Sequence, residues 1–158
     1  MDLILWRHAE AQMLSPDEPH GPDADLARTL TAKGERQAAR MADWLNQRLP
    51  RSARVIASPA RRTQQTAQAL ERPFETVDTI APGASVEALL KAARWPSAPG
   101  AVLVVGHQPT LGRVAARLLT GTEQPWSVRK ASVWWLRRRL REGQPQVLLM
   151  AVHSLELF

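Results

Sequence analysis

The amino-acid sequence predicts an α/β protein: a three-layer α/β/α sandwich around a mostly parallel sheet. Two observations carry that expectation. Short apolar runs alternate with longer amphipathic segments, the pattern of strands joined by right-handed crossover helices. The run 101–105 is apolar at every position, as expected of a central strand covered on both faces. With 158 residues, 44% of them hydrophobic, one core is sufficient, so residues 1–158 are expected to form a single domain.

The elements follow in chain order. Leu3, Ile4, Leu5 and Trp6 read as a short buried strand closed by Arg7-His8, and the Pro- and acid-rich stretch 12–25 reads as a long surface loop. Thr31 is placed as the N-cap, with Glu35 in the first turn, of a helix whose Ala38, Met41, Ala42, Leu45 and Leu49 keep helical spacing up to Pro50. Arg54-Val55-Ile56-Ala57 is a second strand ending at Ser58-Pro59, after which 60–71 runs as a helix. A third helix fits 85–95, where Val86, Leu89, Leu90 and Ala93 share a face. The central strand 101–105 ends at Gly106-His107-Gln108-Pro109, before a helix from 110 to about 119. Strands around 132–138 and 146–152 flank Glu142-Gly143, either as a hairpin or as adjacent edge strands.

Composition removes several function classes. The chain has no cysteine, which excludes disulfides, thiolate catalysis and Cys-ligated zinc. The amino end carries Asp2 and only a four-residue apolar run, unlike a signal peptide, and no apolar stretch approaches the ~20 residues of a membrane helix. A cytoplasmic protein without a membrane partner is expected. The net charge is +6 and eighteen of the twenty-one basic residues are Arg, which supplies forked donors suited to phosphate or carboxylate. A basic chain with six Trp is also the composition of a nucleic-acid clamp. Trp6, Trp44 and Trp95 fall on apolar faces and read as core, so no nucleic-acid partner is expected.

Ligands of open parallel sheets bind beyond the carboxyl ends of the strands. The residues closing the three clearest strands are Arg7-His8, Ser58 with the following Arg61-Arg62, and Gly106-His107. A lone histidine near a strand end is more often a hydrogen-bonded structural residue than a nucleophile. Here a second histidine and an arginine fall at matching strand ends, and no carboxylate pair or thiolate accompanies them to make a metal site or a triad. Two His and two Arg, without acids between them, describe a phosphoryl pocket.

Arg7-His8-Ala9-Glu10-Ala11 resembles the RHxxA opening of the histidine phosphatase superfamily, and the short chain is similar to its SixA-type phosphohistidine phosphatase branch. Three further segments resemble that branch in order. Residues 28–38 match its R-P-L-T-x-x-G-x-x-Q-A helix entry, with Thr29 where Pro is usual; Ser58-Pro59-Ala60-Arg61-Arg62-Thr63-Gln64-Gln65-Thr66 matches S-P-x-x-R-x-x-Q-T; and Val104-Val105-Gly106-His107-Gln108-Pro109 matches V-x-G-H-x-P. The resemblance implies a phosphoglycerate mutase-like fold and a phosphatase in which His8 attacks phosphorus and becomes a phosphohistidine. It further implies that Arg7, Arg62 and a protonated His107 surround the three non-bridging oxygens, and that their charge keeps His8 neutral. A hydrogen bond from one ring nitrogen of His8 to a backbone carbonyl is expected to fix its tautomer.

Arg28 matches the arginine of the helix-entry motif and lies either at the phosphate rim or in a plain surface salt bridge. The S-P-x-x-R spacing selects Arg62 over Arg61, which reads as a surface residue. His20 and His153 have no motif around them and read as structural or solvated. The cluster Arg137-Arg138-Arg139 with Arg141 reads as the wet face of a late strand. Larger members of the superfamily protonate an alkoxide leaving group with a carboxylic acid, but residues 81–85 offer none, and the nearest, Glu87, reads as a first-turn helix residue. A phosphohistidine leaves as imidazole and needs no dedicated carboxylic acid, so the expected substrate is phosphohistidine on a protein, hydrolysed without metal or other cofactor. Oxyanions such as phosphate are expected in the same site. The alternative within the superfamily is a phosphomonoesterase acting on a small metabolite.

Overall fold

The computed structural model describes residues 1–155. Six strands form one sheet in the order β3-β2-β4-β1-β5-β6. These are β1 (Asp2–Arg7), β2 (Arg54–Ala57), β3 (Glu75–Thr76), β4 (Ala101–Gly106), β5 (Val133–Arg141) and β6 (Gln144–His153). β1 pairs with β4, and β2 with β3 and β4, all in parallel; β5 runs antiparallel to both β1 and β6. Five strands therefore point one way and β5 alone runs against them. The helices are α1 (Pro22–Leu26), α2 (Ala32–Asn46), α3 (Arg61–Gln68), α4 (Val86–Ala92) and α5 (Thr110–Thr120).

The alternation of strand side chains builds two cores, one on each face of the sheet. Leu3 and Leu5 of β1 with Val102 and Val104 of β4 pack against Val86 and Leu89 of α4 and Leu111 and Val114 of α5. Ile4 and Trp6, with Leu103 and Val105, pack against Met41, Ala42 and Leu45 of α2 and Ala67 of α3. β4 is buried along its whole length, as its uninterrupted apolar run requires. Trp6 is fully buried and Trp44 and Trp95 are half-buried on these cores. Among the described residues no helix is long and apolar enough to cross a membrane.

Several expected boundaries shift, each for a local reason. The stretch 12–25 is not all loop, because Pro22 starts the five-residue helix α1. The helix expected over 60–71 ends at Gln68, and Glu71 adopts a left-handed φ of 55° that no helix can continue through. The helix expected over 85–95 ends at Ala92; Arg94 is left-handed at 57°, and Trp95 precedes a proline, which disfavours helical backbone. β5 and β6 form the hairpin, closed by positive φ at Glu142 (51°) and Gly143 (78°), as in a two-residue type I′ turn. β3 and the 3₁₀ turn Asp78–Ile80 were not expected, being too short to leave a periodic pattern.

Candidate active site

The carboxyl end of β1 delivers residues 7–10 into a clamp that fixes nearly every peptide group. The His8 N–H donates to the Gly106 carbonyl at 3.2 Å, and the His8 carbonyl accepts from the Ala131 N–H at 3.1 Å. The Ala9 N–H donates to Thr66 Oγ1 (3.1 Å), and the Glu10 N–H to Gln37 Oε1 (3.0 Å). The Glu10 carbonyl accepts from the Thr31 N–H at 3.0 Å. The helix-entry motif now has a physical meaning. Thr31 caps α2 by accepting from the Gly34 N–H, Gln37 reaches back to Glu10, and Gly34 lets the helix lie against the Glu10 carbonyl. A Cβ at position 34 would sit 2.0 Å from that oxygen. Ala131 holds a left-handed φ of 61° between the Trp6 indole N–H, which donates to its carbonyl, and the His8 carbonyl.

His8 Nδ1 lies 2.8 Å from the Ala9 carbonyl oxygen. A carbonyl only accepts, so Nδ1 carries the ring proton and Nε2 keeps its lone pair. This is the carbonyl that the sequence left unidentified. His107, at the end of β4, lies with its ring centroid 5.4 Å from that of His8. Its Nε2 is 2.7 Å from Ser58 Oγ at the end of β2, and that hydroxyl already accepts from the Ala60 N–H. A hydroxyl has one hydrogen and two lone pairs, so Ser58 either donates to a bare Nε2 or accepts from an Nε2–H.

Arg62, in the first turn of α3, is buried at 4% exposure while Arg61 beside it is exposed, so the inward arginine is the one the motif spacing selects. Arg62 Nη1 donates to the Asp25 carbonyl (2.8 Å) and Nη2 to the Asp25 carboxylate (3.1 Å). Arg28 Nη1 donates to the other carboxylate oxygen of Asp25 (3.1 Å), and Arg28 Nε to the Gln12 carbonyl (2.7 Å). Arg28 thus forms the salt bridge that was one of its two expected readings, and its charge reaches His8. Arg7 Nη1 donates to the Val128 carbonyl at 3.0 Å. The expectation of a pocket without acids is corrected by Asp25, which sits between Arg28 and Arg62. Partial burial pushes its carboxyl up, but the hydrogen bonds and charges of the two arginines outweigh that and hold it below the ordinary value, so it is ionised at neutral pH.

Burial is the largest cause of a fall in the His8 pKa to about 3; the bond to Ala9 opposes it, and the charges of Arg62, Arg7 and Arg28 add to it. His107 is likewise pushed down to about 3, by burial first and then by His8 and Arg62. Both imidazoles are therefore neutral at neutral pH in the site without an anion. A buried imidazole facing guanidinium groups has no reason to take a proton until an anion arrives. Ser58 suits either state, since its hydroxyl can donate to imidazole or accept from imidazolium.

Among the described residues, the buried side-chain polar atoms without a partner are Arg7 Nε, Arg62 Nε, His107 Nδ1 and Ser132 Oγ. Three belong to the residues singled out from the sequence. Ser132 stands across from Arg7, because β1 and β5 pair Trp6 with Val133 and the Arg7 N–H donates to the Ser132 carbonyl. Buried polar groups without partners are costly, and here two of them belong to arginines whose charge acts on His8 and a third to the histidine ring 5.4 Å from it. Such a set suits a tetrahedral dianion. His20 is exposed, and His153 stacks on Trp44 at 4.7 Å. Glu87 is in the first turn of α4, exposed and paired with Arg117. Of the late arginines, Arg137 pairs with Asp2. Two residues at the site escaped sequence reasoning. Asp25 carried a signal, its i, i+3 spacing to Arg28; Ser132 carried none.

A family model described as the histidine phosphatase superfamily (branch 1) matches residues 3–82. The phosphohistidine phosphatase SixA homolog of Haemophilus influenzae is 28% identical, over 95% of this chain and 94% of its own. An Agrobacterium tumefaciens protein assigned as SixA superposes with a TM-score of 0.76, covering 97% of each chain at 22% identity. The protein histidine phosphatase SixA complexed with tungstate superposes with a TM-score of 0.68 at 24% identity, covering 94% of each chain. With the family model spanning half of the sequence and these relatives spanning nearly all of it, the chain belongs to the histidine phosphatase superfamily (branch 1).

Proposed function

We propose that the protein is a metal-independent phosphohistidine phosphatase that hydrolyses phosphohistidine on a protein through a phospho-His8 intermediate. The observation that carries the reading is the His8 Nε2 lone pair, freed by the Nδ1–H bond to Ala9, on a ring that feels the charges of Arg7 and Arg62 and lies 5.4 Å from the His107 ring. In the first step Nε2 forms a bond to phosphorus as the substrate P–N bond breaks. The substrate imidazole, protonated on its far ring nitrogen, leaves neutral and takes no proton at the breaking bond. His8 keeps its Nδ1 proton throughout, so phospho-His8 is itself an imidazolium and a good leaving group. In the second step water attacks phosphorus, the P–Nε2 bond breaks, and His8 returns to its starting tautomer while the water proton passes to solvent. Arg7 and Arg62 neutralise the equatorial oxygens, and His107 donates through Nδ1, taking a second proton as the dianion supplies the opposite charge. Arg28 stands at the rim as a further cation.

Two features favour phosphohistidine over an ester. An alkoxide must be protonated as it leaves, and the carboxylates considered for that role are engaged otherwise: Glu10 accepts from the Thr31 hydroxyl, Glu87 pairs with Arg117, and Asp25, kept ionised, pairs with two arginines. The site also meets, at Arg28, an open groove of about 590 Å³ lined by Gln12, Met13, Leu14, Glu18, Pro19 and Ala27, whose open side leaves room for a polypeptide. The phosphomonoesterase reading predicts efficient turnover of sugar or nucleotide phosphates. Dephosphorylation of a phosphohistidine protein, compared with phosphoaspartate and phosphoester substrates, separates the two; dominant turnover of the esters overturns the proposal. The SixA of the tungstate complex binds an oxyanion, and this site is proposed to do the same.

A further inference from the structure

The loop at the mouth of the site is fastened to its most buried arginine through a single residue. Arg62 is held at both terminal nitrogens, Nη1 by the Asp25 carbonyl and Nη2 by the Asp25 carboxylate, while its Nε is buried and without a partner. A guanidinium is planar, so gripping both terminal nitrogens fixes the direction of every remaining N–H. Asp25 is fixed in turn. It lies in α1, and its second carboxylate oxygen takes Arg28, whose Nε is anchored on the Gln12 carbonyl at the start of the same loop. The carboxylate is about one third exposed, whereas the Arg62 side chain it holds is 5% exposed. A surface acid thus sets the aim of a buried cation.

We infer that Asp25 is a positioning residue for Arg62, holding its free N–H groups toward the phosphoryl group and making the phosphate site depend on the docking of the 12–28 loop. The inference rests on the phosphoryl-binding role proposed for Arg62. Asp25 is no proton donor in this scheme, since both carboxylate oxygens accept from arginine. Its contribution is geometric, and a misplaced donor of this kind costs up to roughly 10²-fold in turnover.

The test compares Asp25→Ala with Asp25→Asn, in the natural sequence and again with Arg62→Ala. Both substitutions remove the same charge, but asparagine keeps a side-chain acceptor for the guanidinium. Two readouts are used: the tungstate dissociation constant by calorimetry, which needs no turnover, and kcat on whichever phosphoryl substrate the natural protein hydrolyses. With Arg62 present, Asp25→Ala should bind tungstate about 10-fold more weakly than Asp25→Asn and lose about 10- to 100-fold in kcat, with partial rescue by asparagine. Without Arg62 the alanine and asparagine variants should be equal. Equal tungstate binding by the two variants with Arg62 present, or a difference that persists without Arg62, overturns the inference. Failure of the phosphohistidine reading shows separately, in the substrate preference of the unmutated protein.

Discussion

The two buried histidines make the stability of this protein depend on pH in a definite direction. Both imidazoles have an unfolded value near 6.5 and a folded value of about 3, so between those limits the unfolded chain binds more protons. Their contribution is complete above pH 6.5 and is lost as the pH falls toward 3. Moving from pH 7 to pH 5 should cost about 2 kcal/mol per histidine, hence about 4 kcal/mol for the pair, at roughly 1.4 kcal/mol per pH unit below the unfolded value. Urea unfolding followed by tryptophan fluorescence suits the measurement, because Trp6, two residues before His8, is fully buried. His8→Gln and His107→Gln should each remove about half of the pH dependence. Equal stability at pH 5 and pH 7, or an undiminished slope in the double variant, refutes the reasoning.

Other expectations follow from single contacts. Arg62→Ala should leave the fold intact and lower turnover by at least ~10²-fold, while Arg61→Ala, on the exposed side of the same turn, should change it little; the reverse pattern would show that the wrong arginine was chosen. Gly34→Ala places a methyl group 2.0 Å from the Glu10 carbonyl oxygen, so the start of α2 must withdraw by more than ~1 Å; a loss of about 1–3 kcal/mol in stability, together with lower activity, is expected from urea midpoints and rates, and wild-type behaviour would contradict the packing described for residues 7–10. Activity should survive chelators, since three arginines beside two imidazoles repel a divalent cation; loss in EDTA restored by one added metal would refute this. Vanadate or tungstate should compete with substrate for the same donors.

The fold was legible wherever burial imposes a pattern. The alternation of Leu3 and Leu5 with Ile4 and Trp6, the apolar run of β4 and the helical spacing of Met41, Ala42 and Leu45 all follow from which face meets the core. What escaped was decided by backbone conformation or by chance proximity. The left-handed Glu71 and Arg94 are not glycine, so nothing in their residue type announces an early helix end. At the site, the four motif segments contain His8, Arg7, Arg62, His107 and Arg28, and the structure brings all five side chains into one electrostatic neighbourhood. Asp25 was read only as part of an acid-rich surface loop, because its contact with Arg62 spans 37 residues and no local pattern encodes it. The neutrality of His107 in the site without an anion was not legible either, because residue type suggests a cation among phosphate ligands, while burial beside real cations pushes its pKa down.

The central claim is a covalent phosphoryl transfer through His8. The measurement that tests it most directly is the trapping of labelled phosphate from a phosphohistidine protein, on the natural sequence and on His8→Ala, with the modified residue located by mass spectrometry. The account predicts an acid-labile, base-stable phosphate on His8 that forms and decays fast enough to support turnover, and no label on the alanine variant. Label on the His8→Ala protein, or turnover by it at the natural rate, would contradict it.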